Sequence, residues 1–118
     1  MTTIIRAAET KDLVGMKTFL GQAKVSTKGL EEQIDHFILM EDIDGILLGT
    51  LGIQRIHDCG LLRSLVVSPT VEQTNILEMF QQILKLAKEK ELKRLYLATN
   101  KIVSIQFFTL LGLSLIHI

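Results

Sequence analysis

LLRSLVVSPTVEQTNIL, residues Leu61–Leu77, decides how the chain is read. Leu61–Val67 is an apolar run that closes on two valines, and Ser68-Pro69 stops it. Proline has no backbone donor and drives the residue before it into extended conformations. A helical pattern starts a few residues later. The stretch is therefore strand, sharp turn, helix. A turn of this kind aims the amides of the helix's first turn at whatever lies above the strand ends, a natural seat for a phosphate.

Reading C-terminally, Ile76, Met79, Phe80, Ile83, Leu84 and Ala87 form one apolar stripe at three- and four-residue steps. Val71–Lys90 is thus a core-packing helix of about five turns. Leu92–Ala98 follows as a strand. A helix of that length between two strands fits a right-handed crossover, which makes the Leu61–Val67 and Arg94–Ala98 strands parallel. Ser104–Leu111 reads as a last short helix closed by Gly112, and Leu113–Ile118 as a last strand.

Reading N-terminally from Leu61, His57-Asp58-Cys59-Gly60 is a turn and Ile46–His57 a long strand. Asp42-Ile43-Asp44-Gly45 is a hairpin signal, and Phe37–Glu41 begins the strand before it. Three consecutive strands therefore make an antiparallel meander. Thr3–Ala7 is a short first strand, Thr10 an N-cap, and Leu13, Met16, Phe19, Leu20 and Ala23 a helical stripe. Gly29 separates a second short helix over Glu31–Phe37. The predicted order is β-α-α-β-β-β-α-β-α-β, an α/β fold. Its central sheet is mixed and mostly antiparallel, with helices on both faces.

With 118 residues, residues 1–118 form a single domain with a real core. Thirteen basic and thirteen acidic residues balance to a net charge of 0. That leaves no electrostatic case for nucleic acid or an anionic membrane. Cys59 is the only cysteine, so no intrachain disulfide can form. With no apolar signal segment at the N-terminus, the expected compartment is the cytoplasm. An apolar ending, LSLIHI, needs a cover and points to a homodimer through the C-terminal strand. His57, Asp58 and Cys59 match no metal-site spacing, so the expected metal set is none.

Several words, in order and at the right spacing, resemble the GNAT superfamily of N-acetyltransferases. They are IRAAETKDL at Ile5–Leu13, DGILLGTLGI at Asp44–Ile53, LLRSLVVSP at Leu61–Pro69, and KELKRLYLATN at Lys90–Asn100 followed by FFTLLGL at Phe107–Leu113. GLEEQIDHFI at Gly29–Ile38 adds a likeness to the small arsenic-resistance-type acetyltransferases. The resemblance implies acetyl transfer from acetyl-CoA to the amine of a small-molecule or amino-acid-like acceptor. It implies that two parallel strands splay apart and that the pantetheine arm pairs with backbone groups of Leu65, Val66 and Val67, held like an added strand. The Val66 amide would stabilise the oxyanion. Gln73, Thr74, Asn75, Ile76 and Leu77 would receive the pyrophosphate, and Asn100 and Phe108 would meet the arm. Glu31, with Glu32 beside it, lies in the segment that lines the acceptor site in such enzymes, and is the candidate base.

The sequence departs from the family pattern at that helix start. Glycines expected in the phosphate loop are replaced by Gln73 and Asn75, a small residue by Leu77, and a basic or neutral position by Glu72. Added Cβ atoms and a carboxylate both oppose a polyanion, so acetyl-CoA binding is expected to be weak or lost. Phe107 and Phe108 stand where many relatives carry a proton-donating tyrosine, and the usual further strand is missing after Ile118. These departures favour a second reading, a catalytically inactive member of the fold acting through protein–protein interaction.

Overall fold

The computed structural model describes residues 3–99 and 114–117. Six strands form one sheet in sequence order: β1 (Thr3–Ala7), β2 (Phe37–Asp42), β3 (Leu47–Ile56), β4 (Cys59–Val67), β5 (Arg94–Thr99) and β6 (Ser114–His117). β1 to β4 pair antiparallel; β4–β5 and β5–β6 are parallel. Three α-helices accompany them among the described residues: α1 (Leu13–Gln22), α2 (Leu30–Gln33) and α3 (Gln73–Glu89). The predicted helix over Ser104–Leu111 lies outside the described residues.

Each face of the sheet has its own core. On one side, Ile38, Met40, Leu51, Ile53 and Leu62 pack against Met79, Phe80, Ile83 and Ala87 of α3. On the other, Phe37 and Leu39 pack against Met16, Leu20 and Leu30 of α1 and α2. Adjacent β2 residues thus serve opposite cores, as the two-residue period of a strand requires. Helices on both faces is the expected architecture.

Several boundaries move, each for a local reason. α3 starts at Gln73 rather than Val71, because Glu72 is still extended (φ −75°, ψ 149°). β4 starts two residues early at Cys59, because a tight His57-Asp58 turn lets Cys59 pair at once with Ile56. Gly60 belongs to that strand and not to a turn: a Cβ there would lie 2.7 Å from Ile53 and 2.8 Å from Leu95. Thr10 is not the N-cap. Glu9 holds that place, its N–H donating to Asp12 Oδ2 at 2.8 Å, and Thr10–Asp12 forms a 3-10 turn ahead of α1.

Candidate active site

The site is built on a fault in β4. The β3–β4 register runs Gly52↔Arg63 on one side and Thr50↔Val66 on the other. Leu51 therefore faces both Ser64 and Leu65, a β-bulge with one extra residue. Ser64 takes φ 55°, a left-handed conformation that a serine adopts only under constraint. Thr50, fully buried, supplies part of that constraint. Its hydroxyl donates to the Ser64 carbonyl at 2.8 Å.

The bulge changes the strand's phase. Before it, Leu62 enters the α3-side core; after it, Leu65 and Val67 pack against that core while Val66 turns to the α1/α2 side. The β4–β5 ladder also ends here, its last pair being Leu62↔Leu97, although both strands continue. β4 beyond Leu62 thus has an edge facing a gap. Ser68 N–H donates to Leu48 O at 2.8 Å, toward β3. By strand alternation the Val66 N–H points the same way, and the Leu65 and Val67 amides face the gap. Alternation thus turns the main-chain groups of Leu65 and Val67 away from β3 and those of Val66 toward it.

Below the gap, α3 begins. Asn75 and Ile76 N–H both return to Glu72 O, at 3.0 and 3.3 Å. Gln73 and Thr74 N–H have no partner among the described residues, as expected for the first residues of a helix. Glu72, Gln73 and Thr74 are exposed, and Asn75, Ile76 and Leu77 partly so. The Glu72 carboxylate makes no capping hydrogen bond.

Beside the bulge, on the α1/α2 side, a cleft of about 60 Å³ is lined by residues including Thr27, Lys28, Gln33, Phe37, Gly52, Arg63 and Ser64. Phe37, Gly52 and Arg63 are register partners across three strands. Gly52 is required by the Phe37 ring, which passes so close that a Cβ would lie 2.6 Å from its Cζ. The ring therefore floors the cleft next to Arg63.

Glu31 does not line this cleft. It is exposed on α2 and ion-paired with Lys17, whose ammonium holds its carboxyl below the usual carboxylate range. Asn100 and Phe108 lie outside the described residues. His57 and Asp58 form the β3–β4 turn, and no metal-binding group of three donors exists among the described residues. Desolvation, and then the adjacent Asp58 carboxylate, push the Cys59 thiol above its ordinary range, which suppresses its thiolate. Sequence reasoning missed Lys28 and Gln33. Arg63 carried a visible signal, a single charge inside an otherwise apolar strand.

No protein-family model matches the chain. It is 38% identical over 109 residues to the uncharacterized protein YwlB of Bacillus subtilis (strain 168), covering 92% of this chain and 74% of YwlB. Its fold is similar to an acetyltransferase of the GNAT family from Streptococcus pneumoniae (TM-score 0.72, 18% identity, 94% of this chain and 83% of that one). It is also similar to the N-acetylglutamate synthase of Neisseria gonorrhoeae, crystallised with coenzyme A and N-acetyl-glutamate (TM-score 0.65, 25% identity, 80% of this chain). The match spans only 24% of that synthase chain. The chain belongs to the family of YwlB, and its sheet, with a bulged β4 that parts from β5, has the fold of the GNAT acetyltransferases.

Proposed function

We propose that this protein transfers the acetyl group of acetyl-CoA to the amine of a small-molecule or amino-acid-like acceptor. The observation that carries the reading is the β4 edge, unpaired beyond Leu62 among the described residues. The ladder to β5 stops at Leu62 while the bulge at Ser64 turns the Leu65 and Val67 amides into the gap. A pantetheine arm can be held there by main-chain bonds. The coenzyme A bound by the gonococcal synthase is further support.

In this reading the acceptor nitrogen attacks the thioester carbonyl carbon. A gap-facing amide of Leu65 or Val67 stabilises the oxyanion of the tetrahedral intermediate. The C–S bond then breaks, the coenzyme A thiolate departs, and the proton lost by the amine leaves with solvent or the thiolate. Among the described residues the cleft lining contains no Asp, Glu or His. The protein's contribution is thus mainly alignment of two reactants, which is worth several kcal/mol in favourable cases. Glu31 is the expected base of the family pattern and would have to act through water.

A second reading, a non-catalytic member of the fold working through protein contacts, is favoured by Glu72 at the start of α3 beside the two open amides. A carboxylate there opposes a pyrophosphate. Calorimetric titration with acetyl-CoA, with coenzyme A as control, tests the pair. Micromolar binding supports acetyl transfer; no heat and no thermal shift at millimolar ligand refutes it and leaves the second reading.

A further inference from the structure

The cleft beside the bulge has a charge pattern that its neighbours do not explain. Two cations, Lys28 and Arg63, line it, and no acidic residue does among the described residues. Some basic side chains find carboxylates, Arg6 with Asp12 and Glu41, Lys17 with Glu31, Lys90 with Asp35 and Lys93 with Asp58, while others, Lys24, Arg55, Lys85 and Lys88 among them, do not among the described residues. Lys28 and Arg63 have no carboxylate partner among the described residues. Arg63 donates only to the neutral amide oxygen of Gln54. A guanidinium so placed keeps its positive charge uncompensated and most of its donors open.

The position of Arg63 matters as much as its charge. It sits one residue before the bulge and lines the same cleft as Ser64, in register with Gly52 and Phe37. At about 3.3 Å per residue, Leu65 follows Arg63 by roughly 7 Å of strand. A small molecule anchored at Arg63 is thus held within a few residues of the bulge. The Phe37 floor closes the cleft below, and its volume of about 60 Å³ leaves room for a small group such as a carboxylate.

We infer that the acceptor is a small carboxylate-bearing amine, and that Arg63, assisted by Lys28, grips its carboxylate so that the amine points at the β4 gap. This rests on the acetyl-transfer reading for its chemistry, but the grip itself is a property of the cleft. Planar bidentate recognition of a carboxylate is what a guanidinium does best, and lysine adds a second charge without demanding a geometry.

The test separates the two. The twenty proteinogenic L-amino acids and their carboxamides are titrated into the isotope-labelled protein, with amide shifts of Gly52, Arg63 and Ser64 followed by NMR. The expected result is that at least one amino acid moves these signals and binds ten-fold or more tightly than its carboxamide. Arg63→Gln should erase that preference and Arg63→Lys restore part of it. Lys28→Ala should weaken binding several-fold. In turnover assays that read released thiol, the Arg63→Gln loss should fall on KM for the acid and leave the carboxamide untouched. No binding by any amino acid, equal binding of acid and carboxamide, or a preference that survives Arg63→Gln overturns the inference. Acetyl-CoA calorimetry, run separately, reports on acetyl transfer itself: amino-acid binding without acetyl-CoA binding sinks that reading and spares this one.

Discussion

Replacing Gly52 by alanine is the sharpest probe of the site's architecture. The new Cβ would stand 2.6–2.9 Å from three ring atoms of Phe37, which is 5% exposed and cannot swing into solvent freely. Forcing such a contact in a packed core costs about 1–3 kcal/mol. Against this, alanine narrows the unfolded ensemble by about 0.4–1 kcal/mol, since Gly52 does not need a left-handed backbone. A net loss of about 1–2 kcal/mol should appear in urea denaturation followed by circular dichroism, analysed as two-state. Phe37→Leu alone should cost about 1 kcal/mol through lost ring atoms. In the Phe37→Leu background, Gly52→Ala should become neutral or mildly stabilising, because the obstructing ring atoms are gone. The coupling between the two changes should exceed about 1 kcal/mol. Additive behaviour within about 0.5 kcal/mol would refute the claim that the ring is what demands glycine.

Three further outcomes are expected. Gly15→Ala and Gly21→Ala, both in α1 with nothing within 4 Å of an added Cβ, should each raise stability by about 0.5–1 kcal/mol in the same denaturation assay. Thr50→Val keeps the shape but removes the donor to Ser64 O, and should lower stability by about 1 kcal/mol and weaken any acetyl-CoA heat along with it. The Arg6 guanidinium holds the Asp12 carboxyl below its usual range, so this pair contributes stability above the ordinary aspartate pKa. That contribution is lost as pH falls through the lowered folded value. The acid limb of the stability curve below about pH 4 should therefore flatten in Asp12→Asn, read from thermal midpoints across pH 2–6.

Most of the scaffold was legible because burial imposes period. The stripe from Ile76 to Ala87 could only be a helix against a sheet, and the Asp-Gly hairpin signal at Asp44-Gly45 could only separate two strands. The splay after Leu62 was anticipated by resemblance and takes physical form in the ladder's end. What stayed hidden was set by tertiary contact. Gly60 looked like a turn residue because nothing local shows that Ile53 and Leu95 crowd it. The resemblance implies a bulge before the splay, but no glycine marks its place at Ser64, whose conformation is held from another strand by Thr50. Glu31 drew attention as an acid in the right segment, but its partner Lys17 comes from α1, and sequence spacing did not reveal the pair. The cleft cations were separable from ordinary surface charge only once the cleft that Lys28 and Arg63 share could be seen.

The phase change at Ser64 makes β4 behave like a text with a shifted reading frame. Upstream, even-numbered positions are spelled into the α3-side core; downstream, odd-numbered ones are. Ironing the bulge flat with every residue kept would leave the strand's length almost unchanged yet turn its whole distal half over. Val66 would be thrust toward α3, and Leu65 and Val67 toward α1 and α2. The edge offered to the gap would then present the wrong amides. Single-residue insertions, tolerated in loops, should be barred from the four positions between Arg63 and Ser68, whereas deletion of Ser64 itself should keep the phase, a contrast readable in an insertion and deletion scan without knowledge of any substrate.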